Sequence, residues 1–142
     1  MIREFMHAKL HRVTVTRADV NYVGSVSIDV DLMEAVGILP NEKVQIVNLN
    51  NGERFETYAI EAPRGSRVIG MNGGCAHLAK VGDICLIIAY AQLSPGESIN
   101  ARVAILGEGN EIEAMVEELI KLTEHDALKP GNIDSIEEIA RN

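Results

Sequence analysis

The sequence predicts a mainly β protein that closes into one small barrel. Short alternating or apolar runs recur from Leu10 to Leu106 and are separated by glycine-containing turns, a pattern typical of all-β barrels. The clearest local signal is Asn51-Gly52 between two such runs, because this dipeptide favours the tight turn of a β-hairpin. With 142 residues, 46% of them hydrophobic, the chain is long enough for one domain with its own core.

The first strand is predicted over residues 10–16. Polar and apolar residues alternate here, which places His11, Val13 and Val15 on one face of a half-buried strand.

The next segment predicts two short strands and a helix. Residues 20–22 and 26–28 are strand candidates on either side of Gly24-Ser25. Asp31 is the expected N-cap of a helix of about two turns, and Gly37 stands where its C-cap is expected.

The predicted hairpin joins residues 44–49 to residues 54–60. Alternation in its second strand places Thr57 and Tyr58 on opposite faces unless a bulge or a subunit boundary re-aims one of them. Beyond it, a short helical turn is expected at residues 75–80, and further strands are expected at residues 66–71, 84–93 and 101–106.

The character of the sequence changes after Gly107. Ile112, Met115, Val116 and Leu119 recur at helical spacing with glutamates between them, which predicts an amphipathic helix. Asp134-Ser135 is a second helix-cap candidate. We therefore divide the chain into a barrel domain, residues 1–107, and an acidic helical extension, residues 108–142, expected to dock on the barrel or on a neighbouring subunit.

The net charge of −8 argues against nucleic-acid binding through a basic face. Cations nevertheless concentrate in the first half of the chain, which suits a small anionic substrate. They are Lys9, Arg12, Arg17, Arg54, Arg64 and Arg67. Two cysteines are too few for a disulfide framework, and neither a signal peptide nor a membrane span is apparent, so we expect a cytoplasmic protein without membrane contact.

The dipeptide Gly24-Ser25 offers a hydroxyl nucleophile beside an unshielded peptide carbonyl. If the fold strains this bond, Ser25 Oγ can attack the Gly24 carbonyl and shift the acyl group from nitrogen to oxygen. β-Elimination of the resulting ester, followed by hydrolysis, would leave an N-terminal pyruvoyl group. On its own the dipeptide is weak evidence, because Gly-Ser more commonly marks a turn before a strand and occurs again at Gly65-Ser66.

Six segments around this dipeptide carry a family resemblance. They are residues 11–19, Tyr22, Gly24-Ser25, residues 51–58, residues 64–67 and residues 72–75. In this order they closely resemble the pyruvoyl-dependent aspartate 1-decarboxylases, over roughly residues 1–105.

The resemblance implies a double-psi β-barrel and self-cleavage between Gly24 and Ser25. It also implies a covalent pyruvoyl cofactor made from Ser25, and decarboxylation of L-aspartate to β-alanine on the route to pantothenate and coenzyme A. The expected assembly is a homotetramer of cleaved α and β chains with active sites between subunits. Whether a helper protein assists maturation stays open.

Site roles carried over from the resemblance fall into two groups. Processing would involve Gly24, Ser25, Thr57, His11 and Asn72, with Thr57 placed against the Gly24 carbonyl. Turnover would use Tyr58 as the proton donor. Substrate carboxylates would be bound by Arg54, Lys9, Thr57 and the loop Gly73-Gly74-Cys75, which departs from a common Gly-Ala-Ala pattern.

Three alternatives remain at this point. A metal site is unexpected, because His7 and His11 have ligand spacing only on a helix and this segment reads as a strand. A pyruvoyl decarboxylase of another small amino acid, such as glutamate, would need a pocket only one methylene longer. An uncleaved barrel serving as a binding or regulatory module would keep Gly24-Ser25 intact.

Overall fold

A computed structural model describes residues 1–124. This part contains nine strands and one α-helix, together with two short 3₁₀ helices at Gly73–His77 and Glu108–Asn110. The strands are β1 (Arg3–Thr14), β2 (Arg17–Asp19), β3 (Ser25–Asp29), β4 (Lys43–Asn48), β5 (Arg54–Ala62), β6 (Ile69–Asn72), β7 (Ile84–Leu93), β8 (Ser98–Leu106) and β9 (Ile112–Lys121). The α-helix, α1, spans Val30–Val36. The mainly β prediction is therefore confirmed.

The strands form one mixed sheet that returns on itself. Their order is β2-β6-β3-β5-β4-β7-β1-β8-β9. Only Val15 and Thr16 separate β1 from β2, although these strands stand seventh and first in that order. The backbone N–H of Thr16 donates to the carbonyl of Ile69 in β6 over 2.8 Å, so the chain crosses from β1 to the end of the sheet formed by β2 and β6.

The curled sheet surrounds one hydrophobic core. Strands β1 and β3 to β8 contribute to it, and α1 adds Leu32, Met33 and Val36. The helix begins at an Asp29 N-cap, two residues before the expected Asp31, and ends at Gly37, whose φ of 85° permits the left-handed cap. Among the helices of residues 1–124, none is long and apolar enough to cross a membrane.

The first strand differs from the simple alternation expected for it. A bulge shifts its register against β7 between His11 and Val13, and Arg12 between them has a φ of 67°. Both Leu10 and Val13 are consequently buried, whereas His11 lies on the opposite face. The expectation that His11 and Val13 share a face was wrong because a local sequence pattern does not reveal a bulge.

The hairpin and the later strands agree closely with expectation. Strands β4 and β5 pair antiparallel around the Asn51-Gly52 turn, and β7 spans the predicted residues 84–93. Strand β6 starts later than predicted, at Ile69, and the helical turn is the 3₁₀ helix at Gly73–His77. A strand at residues 20–22 was wrong, since these residues form a turn after β2.

The helix predicted across residues 112–120 was also wrong. This segment is β9, which pairs antiparallel with β8 from Leu106↔Ile112 to Ser98↔Lys121. Pairing with β9 supplies hydrogen-bond partners for the backbone N–H and C=O groups on the outer edge of β8, which a helix would leave unpaired. The second predicted helix, at residues 134–139, lies outside the described residues.

Candidate active site

The Gly24–Ser25 junction lies at the entrance to β3. Ser25 is the first residue of that strand and only 1% of it is exposed, whereas Gly24 lies in the preceding bend. The Ser25 hydroxyl donates weakly to the carbonyl of Val23, over 3.4 Å. The potential nucleophile is therefore held inside the protein, immediately after an exposed loop.

Asn72 faces this junction from the end of β6. Strands β3 and β6 are antiparallel, and Asn72 stands directly opposite Ser25. Its side-chain Nδ2 donates to Ser25 Oγ over 2.9 Å and to Ser27 Oγ over 2.9 Å. The structure thus brings together two residues that the sequence assigned to processing, and it adds Ser27, which the sequence analysis did not single out.

Gly73 permits the close approach of two backbone segments. Its φ is 66°, and a Cβ added there would lie 2.8 Å from Gly24 Cα and 3.0 Å from the carbonyl oxygen of Tyr22. Any larger residue would collide with backbone atoms, which have no side-chain freedom to give way. Glycine at this position therefore fixes how closely β6 and the Gly24 bend pack.

The register between β3 and β5 places Thr57 and Tyr58 beside the junction. These strands are parallel, with Val26 opposite Ala59. Continuing that register towards the N-terminus sets Ser25 beside Tyr58 and Gly24 beside Thr57. Thr57 shares the core-facing side with the buried Ala59, whereas Tyr58 shares the outer side with Ser25.

No bulge is needed to bring both residues to the site, because the junction itself spans two residues. Arg54 begins β5 on the same outer face as Tyr58 and is exposed. It lies beyond the N-terminal end of β3, in the direction of the Gly24 bend.

The predicted substrate loop directly follows Asn72. It forms the start of the 3₁₀ helix, with Gly74 exposed and Cys75 buried. Both cysteines are free, and burial, assisted by the nearby charge of Asp83, raises the pKa of the Cys85 thiol to about 12. Cys85 is consequently an inert core residue.

Lys9 and His11 lie elsewhere in the chain. They flank the buried Leu10 on the outer face of β1, four strands from β3 in the sheet order. Burial and the neighbouring charges of Lys9 and Arg12 lower the pKa of His11, which favours its neutral form. Neither residue lies on a strand that pairs with β3.

The remaining histidine of β1, His7, has its own partner. Its Nε2 lies 2.6 Å from a carboxylate oxygen of Glu42. Within residues 1–124, no cluster of three or more histidine, cysteine or acidic side chains is arranged to hold a metal ion.

A groove of about 580 Å³ opens on the outer face of β1, β7, β4 and β5. Glu4, Gln45, Glu56 and Tyr90 line it, together with Lys43, the cross-strand partner of Tyr58. None of the predicted site residues lines this groove.

The sequence analysis missed a buried polar cluster around Asp29, at the C-terminal end of β3. Asp29 accepts hydrogen bonds from the backbone N–H groups of Asp31 (2.8 Å), Gly65 (3.0 Å) and Arg67 (2.7 Å). Burial raises the pKa of Asp29, but these three donors and the Arg67 charge outweigh it, and the net pKa lies below 3.8. The available signal was an aspartate directly before α1, which competes with Asp31 as the cap.

Sequence comparisons with known proteins identify the family of this chain. The family model for aspartate decarboxylase matches residues 1–113. An aspartate 1-decarboxylase from Staphylococcus epidermidis is 52% identical over 120 residues, covering 83% of this chain and 94% of that protein. Those from Bacillus licheniformis and Maricaulis maris are each 55% identical, over 118 and 111 residues, covering 82% and 77% of this chain and 93% and 92% of theirs. The chain belongs to the aspartate decarboxylase family.

Proposed function

We propose that this protein is a self-cleaving aspartate 1-decarboxylase that converts L-aspartate to β-alanine and CO₂, on the route to pantothenate and coenzyme A. One observation carries the proposal: Gly24-Ser25 is packed against Asn72-Gly73 in a chain that is 52–55% identical to proteins of that name. The buried hydroxyl, the backbone without a side chain and the amide donor are the parts that cleavage requires.

The cofactor is a pyruvoyl group generated from Ser25. The residues present fit such a group, because Ser25 starts a strand and its Oγ already accepts a hydrogen bond from Asn72. Once formed, this ketone supplies an electron sink for the bond that loses CO₂. Release of residues 1–24 from the junction also opens access to a position that is otherwise 1% exposed.

For processing, Ser25 Oγ attacks the Gly24 carbonyl carbon. Thr57, beside Gly24 in the parallel register, donates its hydroxyl to the carbonyl oxygen as that oxygen becomes negative. Asn72 donates to Oγ. Gly73 keeps the bend against β6, so that the nucleophile and the carbonyl stay together.

For turnover, Tyr58 delivers a proton to the substrate α-carbon after CO₂ leaves. Its position on the outer face beside Ser25 suits a general acid, because it places a phenol hydroxyl next to the residue that carries the cofactor. Arg54 lies beyond the start of β3, where a substrate attached at position 25 extends, and it binds one carboxylate with its planar guanidinium. The Gly73-Gly74-Cys75 loop borders the same end.

Lys9 and His11 act from a neighbouring subunit. Neither lies on a strand that pairs with β3, and both project from the outer face of β1, where a second copy can pack. The proposed assembly is a homotetramer of cleaved α and β chains in which Lys9 binds the second carboxylate. L-Aspartate, which carries two carboxylates, suits two cations on opposite sides of one pocket.

The test is an assay of purified protein with L-aspartate, L-glutamate and other small amino acids. We expect β-alanine from aspartate, slower turnover of glutamate, and no product from Ser25→Ala. Faster turnover of glutamate than of aspartate would show that glutamate is the substrate, whereas the proposed pyruvoyl-dependent decarboxylation would stand. Failure of a cleaved protein to act on any amino acid would overturn the proposal.

A further inference from the structure

We propose that Ser27 is a positioning residue for self-cleavage, whose hydroxyl anchors the Asn72 carboxamide so that the other N–H of that amide stays on Ser25 Oγ. The inference rests on the proposed self-cleavage and adds a residue to it. It begins from a contact that the decarboxylation chemistry leaves unexplained, namely one amide nitrogen shared between two buried serines.

The contact is well defined geometrically. Ser25 and Ser27 are two apart in an extended strand and therefore point to the same side. The Nδ2 group of Asn72 has two N–H donors and lies 2.9 Å from each serine oxygen, so each hydroxyl receives one donor. All three side chains are at least 97% buried, at exposures of 1%, 3% and 1%.

The surroundings confine Ser27. The residue opposite it in β6 is Gly70. A Cβ at Gly70 would lie 3.3 Å from Ser27 Cβ and 3.1 Å from the Arg17 guanidinium, so only glycine leaves both side chains undisturbed. The Ser27 hydroxyl is buried and contacts the Asn72 amide. Without that hydroxyl, one buried N–H would lack its acceptor, and the amide would rotate to recover one.

Orientation of this amide matters for the second step of cleavage. After the acyl shift, Ser25 Oγ is the bridging oxygen of an ester with the Gly24 carbonyl. A base removes the Ser25 α-proton, that electron pair forms the Cα=Cβ bond, and the Cβ–Oγ bond breaks. Oγ keeps the bonding pair and leaves as an oxygen of the Gly24 carboxylate; water then hydrolyses the dehydroalanine to the ketone and ammonia. A donor held on Oγ stabilises the charge that develops there.

The inference predicts which intermediate accumulates. Ser27→Ala weakens the donor on Oγ, so elimination slows while the acyl shift proceeds. We expect cleavage about three- to tenfold slower than in the wild type, the effect of one buried hydrogen bond. Ser27→Thr keeps the hydroxyl and should recover most of the rate. Ser66→Ala is the matched control, because its hydroxyl accepts only a 3.4 Å contact from the Val68 N–H and does not touch Asn72.

The experiment follows full-length chains from a cell-free synthesis by denaturing gel, with and without hydroxylamine, which cleaves esters but not peptide bonds under mild conditions. Ser27→Ala should give extra fragments 1–24 and 25–142 with hydroxylamine, the latter beginning with serine. Equal cleavage rates in Ser27→Ala and the wild type would overturn the inference. So would slow cleavage without hydroxylamine-sensitive chains and without recovery in Ser27→Thr. A wild-type chain that is never cleaved would instead contradict the proposed function itself.

Discussion

At the residue scale, the parallel register between β3 and β5 separates two hydroxyl groups that are neighbours in the sequence. Thr57 lies beside Gly24 on the core-facing side, and Tyr58 lies beside Ser25 on the outer side. Because the bond that we propose is cleaved joins Gly24 to Ser25, each of the two residues stands beside a different end of it in the continued register. The two residues are therefore expected to serve different events, making the cofactor and using it.

Thr57→Val should accumulate uncleaved chain. Valine keeps the β-branched shape that suits the strand but removes the donor to the Gly24 carbonyl oxygen. Loss of such a donor costs roughly 10²–10³-fold in acyl-transfer reactions. The measurement is the fraction cleaved over time by denaturing gel; wild-type cleavage kinetics would assign the oxyanion contact to another group.

Tyr58→Phe should cleave normally and turn over slowly. Phenylalanine keeps the ring but cannot donate a proton, so β-alanine release should fall by roughly 10²–10⁴-fold. Borohydride should still couple labelled aspartate to the cleaved protein, because amine capture does not need the phenol. Normal turnover after cleavage would limit Tyr58 to packing.

Asp29 supplies a pH-dependent contribution to stability. Its pKa in the folded protein lies below the ordinary 3.8, so the folded state favours the ionised form. The stabilisation is present above pH 3.8 and is lost as the pH falls below it towards the folded pKa. Asp29→Asn should therefore lower the free energy of unfolding by about 1.5–3 kcal/mol at pH 7, and the difference should shrink at pH 3.

Urea unfolding in a Ser25→Ala background, which stays one chain, measures this difference. Asp19→Asn is the control, because Asp19 caps only an exposed turn. A gap between Asp29→Asn and its parent that is the same at pH 7 and pH 3 would contradict the assignment.

At the scale of elements, local sequence patterns predicted those strands that carry a strong signal of their own. Strand β7 is a nearly continuous apolar run, and the β4–β5 turn carries an Asn-Gly signal. Strand β9 offers neither signal. Met115, Val116 and Leu119 are 47%, 51% and 53% exposed, so neither face of this strand packs fully on the core.

In the sequence of β9, no alternation of polar and apolar residues therefore competed with the helical spacing. Whether this segment forms a helix or a strand depended on a partner far away in the sequence, the free edge of β8. The Arg12 bulge and the Ser27–Asn72 contact were inaccessible for the same reason. Each depends on residues far away in the sequence. The Gly24-Ser25, Thr57, Tyr58 and Asn72 assignments came from the family resemblance, and the strand registers place these residues together.

Truncation after Glu111 tests the role of β9. Removing the strand exposes the edge of β8, so we expect lower thermal stability but cleavage and kcat within several-fold of the full chain. Complete loss of turnover in a cleaved, normally assembled truncation would contradict a purely structural role.

Truncation after Gly107 should be more destabilising, by about a further 2 kcal/mol. It also removes Asn110, which accepts from the Thr14 N–H (2.7 Å) and donates to the carbonyls of Thr14 (2.9 Å) and Arg67 (3.0 Å). Equal unfolding midpoints for the two truncations would show that this link contributes nothing measurable.

At the scale of the whole molecule, the order of the strands in the sheet motivates the proposed tetramer. It places Ser25, Thr57, Tyr58 and Asn72 on neighbouring strands β3, β5 and β6, but leaves Lys9 on β1, four strands away. The proposed tetramer supplies the missing cation from a second copy.

Complementation tests that arrangement. Lys9→Ala and Tyr58→Phe should each be nearly inactive alone, whereas co-expressed, differently tagged subunits should recover part of the activity. Some mixed sites then combine an intact Tyr58 from one copy with an intact Lys9 from another. Verified mixed oligomers that stay inactive would place both residues in one subunit's site.

The intact mass of the purified, denatured protein shows whether this chain makes its own cofactor at Ser25. Self-cleavage predicts two fragments, residues 1–24 and 25–142. The larger one should be lighter by one ammonia than the same fragment with an N-terminal serine, and it should carry a ketone that reacts with hydrazides. A single mass for residues 1–142 that persists after prolonged warming would contradict it.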